Sequence, residues 1–295
     1  MRTIIAKVLY LFYFFKVRKE LQRTDSILAI YGHDQKAKPF EEIVSWFLKK
    51  GFRFITPREL YLYVKGEKPI TEKLVWLSFD DGWRSNYTDV FPVLQKYQVP
   101  ATIFVATKGI EDGYFWFTQA FQNRNSSLYN EVGELWTMSN QDRVKTIGQL
   151  PSYIGNRITL NADEMKEMSA SQTVNWGNHT HDHVMSDMCF VDELKDEIQK
   201  CRCRLTALTG SDGNYIYSYP NGNYDDRTAS VLREMNFAMA ATTHIGRVFP
   251  NTDPFKINRN EFKNGCLEEN IMQCFGIWTT FFNRIKSIMG IKNKK

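Results

Sequence analysis

Several features that would settle the class of this chain are scarce in it. Among 295 residues there are only five histidines and five cysteines. Cys189, Cys201, Cys203, Cys266 and Cys274 are too sparse for a disulfide scaffold. Cys201 falls on the apolar stripe of a helical pattern, so the expectation is free thiols, a reducing compartment and a cytoplasmic location. The N-terminal apolar run, Val8 to Phe15, falls far short of the ~20 residues that cross a bilayer. No glycine-rich loop of either common nucleotide-binding type is present, which argues against a nucleotide site. A net charge of +5 is small and dispersed, so nucleic acid is not an expected partner. Internal repeats and low-complexity tracts are absent too.

What is present is a high aromatic content, 14%, which suits both a packed interior and a sugar-binding cleft. Short apolar runs alternate with helical patterns. Strands are expected at Ile27 to Tyr31, Phe52 to Ile55, Leu74 to Phe79, Ala101 to Ala106, Thr173 to Trp176, Tyr215 to Tyr219 and around Ala238 to Thr242. Helices are expected between them, two opened by capping boxes at Thr56-Pro57-Arg58-Glu59 and Asn161-Ala162-Asp163-Glu164. Residues 107–160, rich in Asn, Gln and aromatics, break this rhythm as a long insertion. The alternation predicts a parallel α/β domain. Four polar strings, at His33, Asp80-Asp81, His179 to His183 and Asn221, each begin directly after a strand. A parallel barrel gathers all strand carboxyl ends at one face, which favours a barrel over an open doubly wound sheet.

Two strings carry chemistry: Ser78-Phe79-Asp80-Asp81-Gly82-Trp83 and Gly177-Asn178-His179-Thr180-His181-Asp182-His183. Asp81, His179 and His183 can fill one face of a divalent ion and leave room for water. Asp80, the adjacent acid, is then free to act as a base on that water. Taken alone, Asp-Asp-Gly is as readily a capping turn, and two histidines four apart are unremarkable. Their joint occurrence after strands, in a chain with five histidines, is what points to a metal-assisted hydrolase.

The sequence resembles the polysaccharide deacetylases, the NodB-homology or carbohydrate esterase family 4 group. Ser78 to Gly82 matches the first motif, His179 to His183 the second, and Ser218-Tyr219-Pro220-Asn221-Gly222 the third. The segment Pro92-Val93-Leu94 through Pro100 to Val105 is similar as well, and the likeness runs from about residue 26 to 262. The resemblance implies a distorted (β/α)7 barrel and a metal-dependent hydrolase that removes N-acetyl groups from an N-acetylhexosamine-containing glycan or glycan precursor. It assigns Asp80 as base, metal-bound water as nucleophile, and Asp81, His179 and His183 as ligands. It also assigns the Asn221 N–H to the oxyanion and the Thr180 hydroxyl to steadying the histidine loop. Zinc comes first among the metals, with nickel, cobalt and iron also suited. The implied partner is a glycan or a lipid-linked sugar.

There are departures. Ser218 stands where the common third motif carries an arginine, and no histidine follows His244 to supply the usual C-terminal string. The layout is closer to the poly-N-acetylglucosamine deacetylase subgroup. There the acid comes from an early strand, which would be His33, and Arg259 would replace the missing arginine. Trp83, Trp116 and Tyr219 are candidates to stack on sugar, with core packing the competing role for each. The same departures leave open a non-catalytic carbohydrate-binding module on this scaffold. A metal–nucleotide glycosyltransferase ranks last, because it leaves both histidines idle.

The expected organisation is an apolar, basic segment over 1–25, the barrel over 26–265, and a basic helical tail over 266–295. No small-residue cleavage site follows Val8 to Phe15, so this run is expected to lie on the surface or dock on the domain. Packing of both terminal helices on the domain is the first expectation. Peripheral contact with an anionic membrane face is the second.

Overall fold

Strands buried on both faces need apolar residues at every position, and the runs Ile27 to Gly32 and Leu74 to Phe79 are buried along their whole length. In the computed structural model, which describes residues 2–125, 134–211, 213 and 215–289, these runs are the centre of a parallel sheet. Its strands are β1 (Ile27–Gly32), β2 (Arg53–Ile55), β3 (Leu74–Phe79), β4 (Ala101–Val105), β5 (Val174–Asn178), β6 (Ile216–Ser218), β7 (Met239–Ala241) and β8 (Asn260–Glu261). Their spatial order is β7-β6-β5-β4-β3-β1-β8. β2 and β4 both pair with β3, one along its first half and the other along its last two residues. The sheet curls until the segment before β8 meets β7, where the Ile257 N–H donates to Ala240 O at 3.0 Å. This is the parallel barrel that the strand-end strings favour, with the curled form that the resemblance implies.

Around it lie α1 (Arg2–Phe12), α2 (Phe14–Leu21), α3 (Ala37–Lys49), α4 (Pro57–Val64), α5 (Phe91–Tyr97), α6 (Thr107–Asp112) and α7 (Trp116–Gln122). They are followed by α8 (Asn140–Gln149), α9 (Ala162–Ser169), α10 (Val191–Thr209), α11 (Asp226–Glu234), α12 (Leu267–Cys274) and α13 (Ile277–Ile288). Both expected capping boxes form, at Thr56/Glu59 and Asn161/Glu164. The helix expected from Tyr87 to Tyr97 opens instead with a π turn over Asn86–Val90. Pro92 has no N–H to return to Thr88, so the turn before it widens.

Alternation along the strands sorts the core. Leu28, Ile30, Val75, Leu77 and Phe79 face the helices. Ile27, Ala29, Leu74, Trp76 and Phe104 fill the barrel, with Ile216, Met239 and Ile257. Further along the inward face the apolar side chains give way to Ser78, Ser218 and Arg259, all buried. The polar end of the barrel is therefore the carboxyl end of its strands.

The termini belong to this packing. Ala6 and Val17 are buried in the main core cluster, and so are Ile271, Met272, Cys274 and Ile277. The helix Leu267–Cys274 falls within the span expected as a helical tail, and it packs into the core. Lys292, Lys294 and Lys295 lie outside the described residues. All five cysteines are free thiols, as expected. Among the described residues no helix is long and apolar enough to cross a membrane.

Candidate active site

Asp80 and Asp81 leave the end of β3, and the Asp80 N–H donates to Gly32 O at the end of β1. Asp81 adopts a left-handed conformation, φ +76°, and so does Gly82, φ +91°. This turn separates the two carboxylates. Asp80 continues the inward register of Trp76 and Ser78, while Asp81 swings toward β5. Thr180, His183 and Asn221 also have positive φ. Such clustering of strained non-glycine residues is typical of functional sites.

The histidine loop is built from its own side chains. Asn178 Oδ1 accepts from the Thr180 N–H at 2.9 Å, and Thr180 Oγ1 accepts from the Val184 N–H at 3.0 Å. His179 Nδ1 sits 2.8 Å from Ser218 O. A carbonyl only accepts, so this nitrogen carries the proton and Nε2 presents its lone pair. Burial pushes the pKa of His183 down, favouring the neutral imidazole that a metal requires.

His179 Nε2 and His183 Nε2 each lie 3.3 Å from Asp81 Oδ1. Two ligands each ~2.0–2.1 Å from a tetrahedral ion are separated by about 3.3 Å, so this spacing fits a shared cation. Asp81 Oδ1 is buried and receives no hydrogen bond. Its partner oxygen, Oδ2, accepts from Trp83 Nε1 at 2.8 Å, which fixes the carboxylate. Among the described residues, these three side chains form the group with metal-holding geometry. Burial would raise the Asp81 pKa, but the two imidazoles hold it well below the usual carboxylate range.

Asp80 has a different environment. Arg259 Nη1 donates to its Oδ1 at 2.7 Å and Nη2 donates to its Oδ2 at 2.8 Å. The same guanidinium donates to Ser78 Oγ, Ser218 Oγ and Thr242 O and is fully buried. Burial would raise the Asp80 pKa, but Arg259 holds it below the ordinary value, so it is ionised at neutral pH. Arg259 thus occupies, from the segment leading into β8, the place beside Asp80 that Ser218 is too short to fill.

His33 stands at the rim, its side chain 38% exposed, with Nδ1 3.6 Å from Glu261 Oε1. Burial lowers its pKa, but Glu261 and the Asp80 and Asp81 carboxylates more than offset this and raise it to about 9. Asn221 lines the same cleft, and its N–H has no acceptor among the described residues. The cleft is open, about 400 Å³, and Tyr31, Trp83, Phe117 and Trp136 wall it with apolar surface.

Tyr219 departs from expectation. Its side chain is fully buried, stacked on Tyr224 at 4.7 Å, and its hydroxyl donates to Phe255 O at 3.1 Å. It follows the inward-facing Ser218, so strand alternation turns it to the outer core. It offers no face to a sugar. Trp116 is also buried and lines a neighbouring cavity behind His183, donating to His183 O at 3.3 Å. Of the three stacking candidates, Trp83 alone borders the cleft.

The cleft is also lined by residues to which the sequence assigns no role, among them Glu261, Phe117 and Trp136. Glu261 lies two residues beyond Arg259, the period at which strand residues share a face. Phe117 and Trp136 belong to the insertion, whose aromatic richness was the available signal. The insertion is pinned back by an antiparallel bridge between Trp83 and Thr159.

Residues 67–240 match the family model described as "Polysaccharide deacetylase". A "Putative polysaccharide deacetylase YxkH" of Bacillus subtilis is 25% identical over 222 residues, 75% of this chain. The match spans 63% of that relative's length. A "Poly-beta-1,6-N-acetyl-D-glucosamine N-deacetylase" of Staphylococcus aureus strain N315 is 29% identical, covering 90% of this chain and 77% of the relative. Among solved structures, the Streptococcus pyogenes deacetylase PplD aligns with a TM-score of 0.62 at 20% identity, covering 85% of this chain and 97% of its own. IcaB from Ammonifex degensii aligns with 0.59 at 18% identity, covering 86% and 97%. These two likenesses concern the fold.

Proposed function

The chain belongs to the polysaccharide deacetylase family, and on that premise we propose that it hydrolyses N-acetyl groups from an N-acetylhexosamine-containing glycan. A polymer of β-1,6-linked N-acetylglucosamine is the first substrate to try, because the Staphylococcus aureus relative is named for it. The observation that carries the reading is the pairing of two differently held acids. Asp81 shares one spot with two imidazoles, and Asp80 is gripped by Arg259 beside them.

Asp81, His179 and His183 would hold a divalent cation, zinc first, with nickel, cobalt or iron suited to the same donors. When bound it would supply Lewis acidity to the attacking water and to the acetamide oxygen. The remaining work falls to this chain's own groups. Asp80 takes a proton from the water as its oxygen adds to the acetyl carbon. Arg259 keeps that carboxylate ionised and aimed. The Asn221 N–H donates to the oxygen that gains negative charge, a contribution worth about 10²–10³ in rate for such donors. His33, with Nδ1 turned to Glu261, delivers a proton from Nε2 to the nitrogen as the C–N bond breaks. The products are a free amine and acetic acid, which ionises to acetate, and the proton held by Asp80 passes through solvent to restore His33. Trp83, Phe117 and Trp136 offer apolar walls to sugar rings.

The test is acetate release from N-acetylglucosamine oligomers and polymer, with and without chelator. Asp80→Asn should bind the cation as the parent does and release acetate at least about 10²-fold more slowly. Wild-type release from that variant would remove Asp80 as base. Failure to retain one cation per chain after dialysis would favour the non-catalytic binding module instead.

A further inference from the structure

The N-terminal helices carry a surface that the cleft does not use. α1 docks through Ala6, Leu9 and Tyr10, and Arg2 pairs with Glu269 at the start of α12. Its other side should then be polar, as for an ordinary surface helix. Instead Ile4, Ile5, Val8, Leu11 and Phe12, spaced to share one helical face, project into solvent. Phe15, at the start of α2, continues the surface. Ile4 is 68% exposed, Leu11 73%, and Phe12 and Phe15 78% each. A contiguous apolar surface of this kind marks an interaction site.

Charge identifies the partner. From Arg2 to Lys19 there is no acidic residue, and Lys7, Lys16, Arg18 and Lys19 are exposed. The nearest acids, Glu20 and Glu269, are engaged by Arg247 and Arg2. Among the described residues, the four cations therefore face solvent without an ion-pair partner. A second copy docked symmetrically would set these cations against their own equivalents. An anionic lipid surface takes both components, with headgroups meeting the lysines and the acyl boundary meeting the phenylalanines.

We propose that the outer face of α1 and α2 is a monotopic docking surface for an anionic lipid bilayer. Apolar insertion and electrostatic attraction are both required, since either alone gives marginal attachment. The surface is separate from the cleft, so it stands or falls independently of the chemistry proposed above.

The experiment is flotation of the full chain with phosphatidylcholine vesicles, with and without phosphatidylglycerol, at low and high salt. The expected result is binding to the anionic vesicles at least about tenfold stronger than to neutral ones, weakened by salt. Phe12→Ser with Phe15→Ser, and separately Lys16→Gln with Lys19→Gln, should each cut that binding about tenfold. These side chains are exposed, so the thermal melting of both variants should match the parent and separate lost docking from lost folding. Equal partition into neutral and anionic vesicles, no partition at all, or unaffected variants would overturn the proposal. So would concentration-dependent dimers that Phe12→Ser with Phe15→Ser abolishes in the absence of vesicle binding, which would make the face a self-association surface.

Discussion

Arg259 and Asp80 meet in a two-point ion pair, 2.7 and 2.8 Å, across a sequence separation of 179 residues. The guanidinium also donates to Ser218 Oγ at 2.8 Å, on the strand where an arginine is more usual in this family. One positive charge can therefore reach the base from β6 or from the segment leading into β8.

That geometry makes the arginine transplantable. Arg259→Lys keeps the charge but not the planar fork, and should lower kcat by about tenfold or more with a smaller change in KM. Removing the charge altogether would leave Asp80 buried and unpaired, at a cost of about 3–5 kcal/mol. Ser218→Arg combined with Arg259→Ser should recover part of the activity and stability lost in Arg259→Ser alone. Steady-state kinetics and thermal melting of the three variants check this.

Trp83 acts on Asp81, not on the substrate alone. Trp83→Phe removes the donor to Asp81 Oδ2 while keeping an aromatic wall. Loss of such an outer hydrogen bond typically weakens metal affinity about 10–100-fold. Zinc competition against a chromophoric chelator should show that loss, whereas a purely sugar-stacking role would leave zinc affinity unchanged.

Glu261 sets the protonation of His33. With a pKa raised to about 9, His33 carries its proton at neutral pH and loses it as pH rises through that value. The alkaline limb of kcat/KM should report loss of that proton, and a cation held by Asp81 would bring the limb below that value. Glu261→Gln removes a neighbouring negative charge, which lowers the His33 pKa and moves the limb to lower pH. A pH–rate profile with an unmoved limb would assign the limb to another group.

Tyr219 is expected to matter for stability and not for turnover. Tyr219→Phe leaves the buried Phe255 carbonyl without its donor, at a cost of about 1 kcal/mol, or a melting temperature lowered by about 2–4 °C. Acetate release should be unchanged. A large loss of activity with intact melting would return Tyr219 to the substrate site.

The legible part of the site was the part carried by short strings. Asp80-Asp81 and His179 to His183 follow apolar runs, and a strand's end fixes where the next residues point. Thr180 was legible for the same reason, because its hydroxyl serves an N–H only four residues away. Glu261 was missed because it lies on a two-residue strand, too short to show alternation. Phe117 and Trp136 were missed because nothing local says which aromatics of an insertion turn inward. Tyr219 is the converse case: it adjoins a motif, and strand alternation gives it the core-packing role that competed with sugar stacking.

The order of apolar runs and helical stripes was enough to predict a parallel α/β domain, and the strand-end strings favoured a barrel and nominated one acid and two imidazoles for a cation. Those are consequences of local periodicity and of the rule that strand ends converge. The resemblance nominated Arg259, but only the folded chain shows its two-point grip on Asp80, that Glu261 faces His33, and that α1 leaves its apolar side uncovered. Each of those relationships depends on which distant surfaces are brought into contact, and short-range pattern carries no information about that.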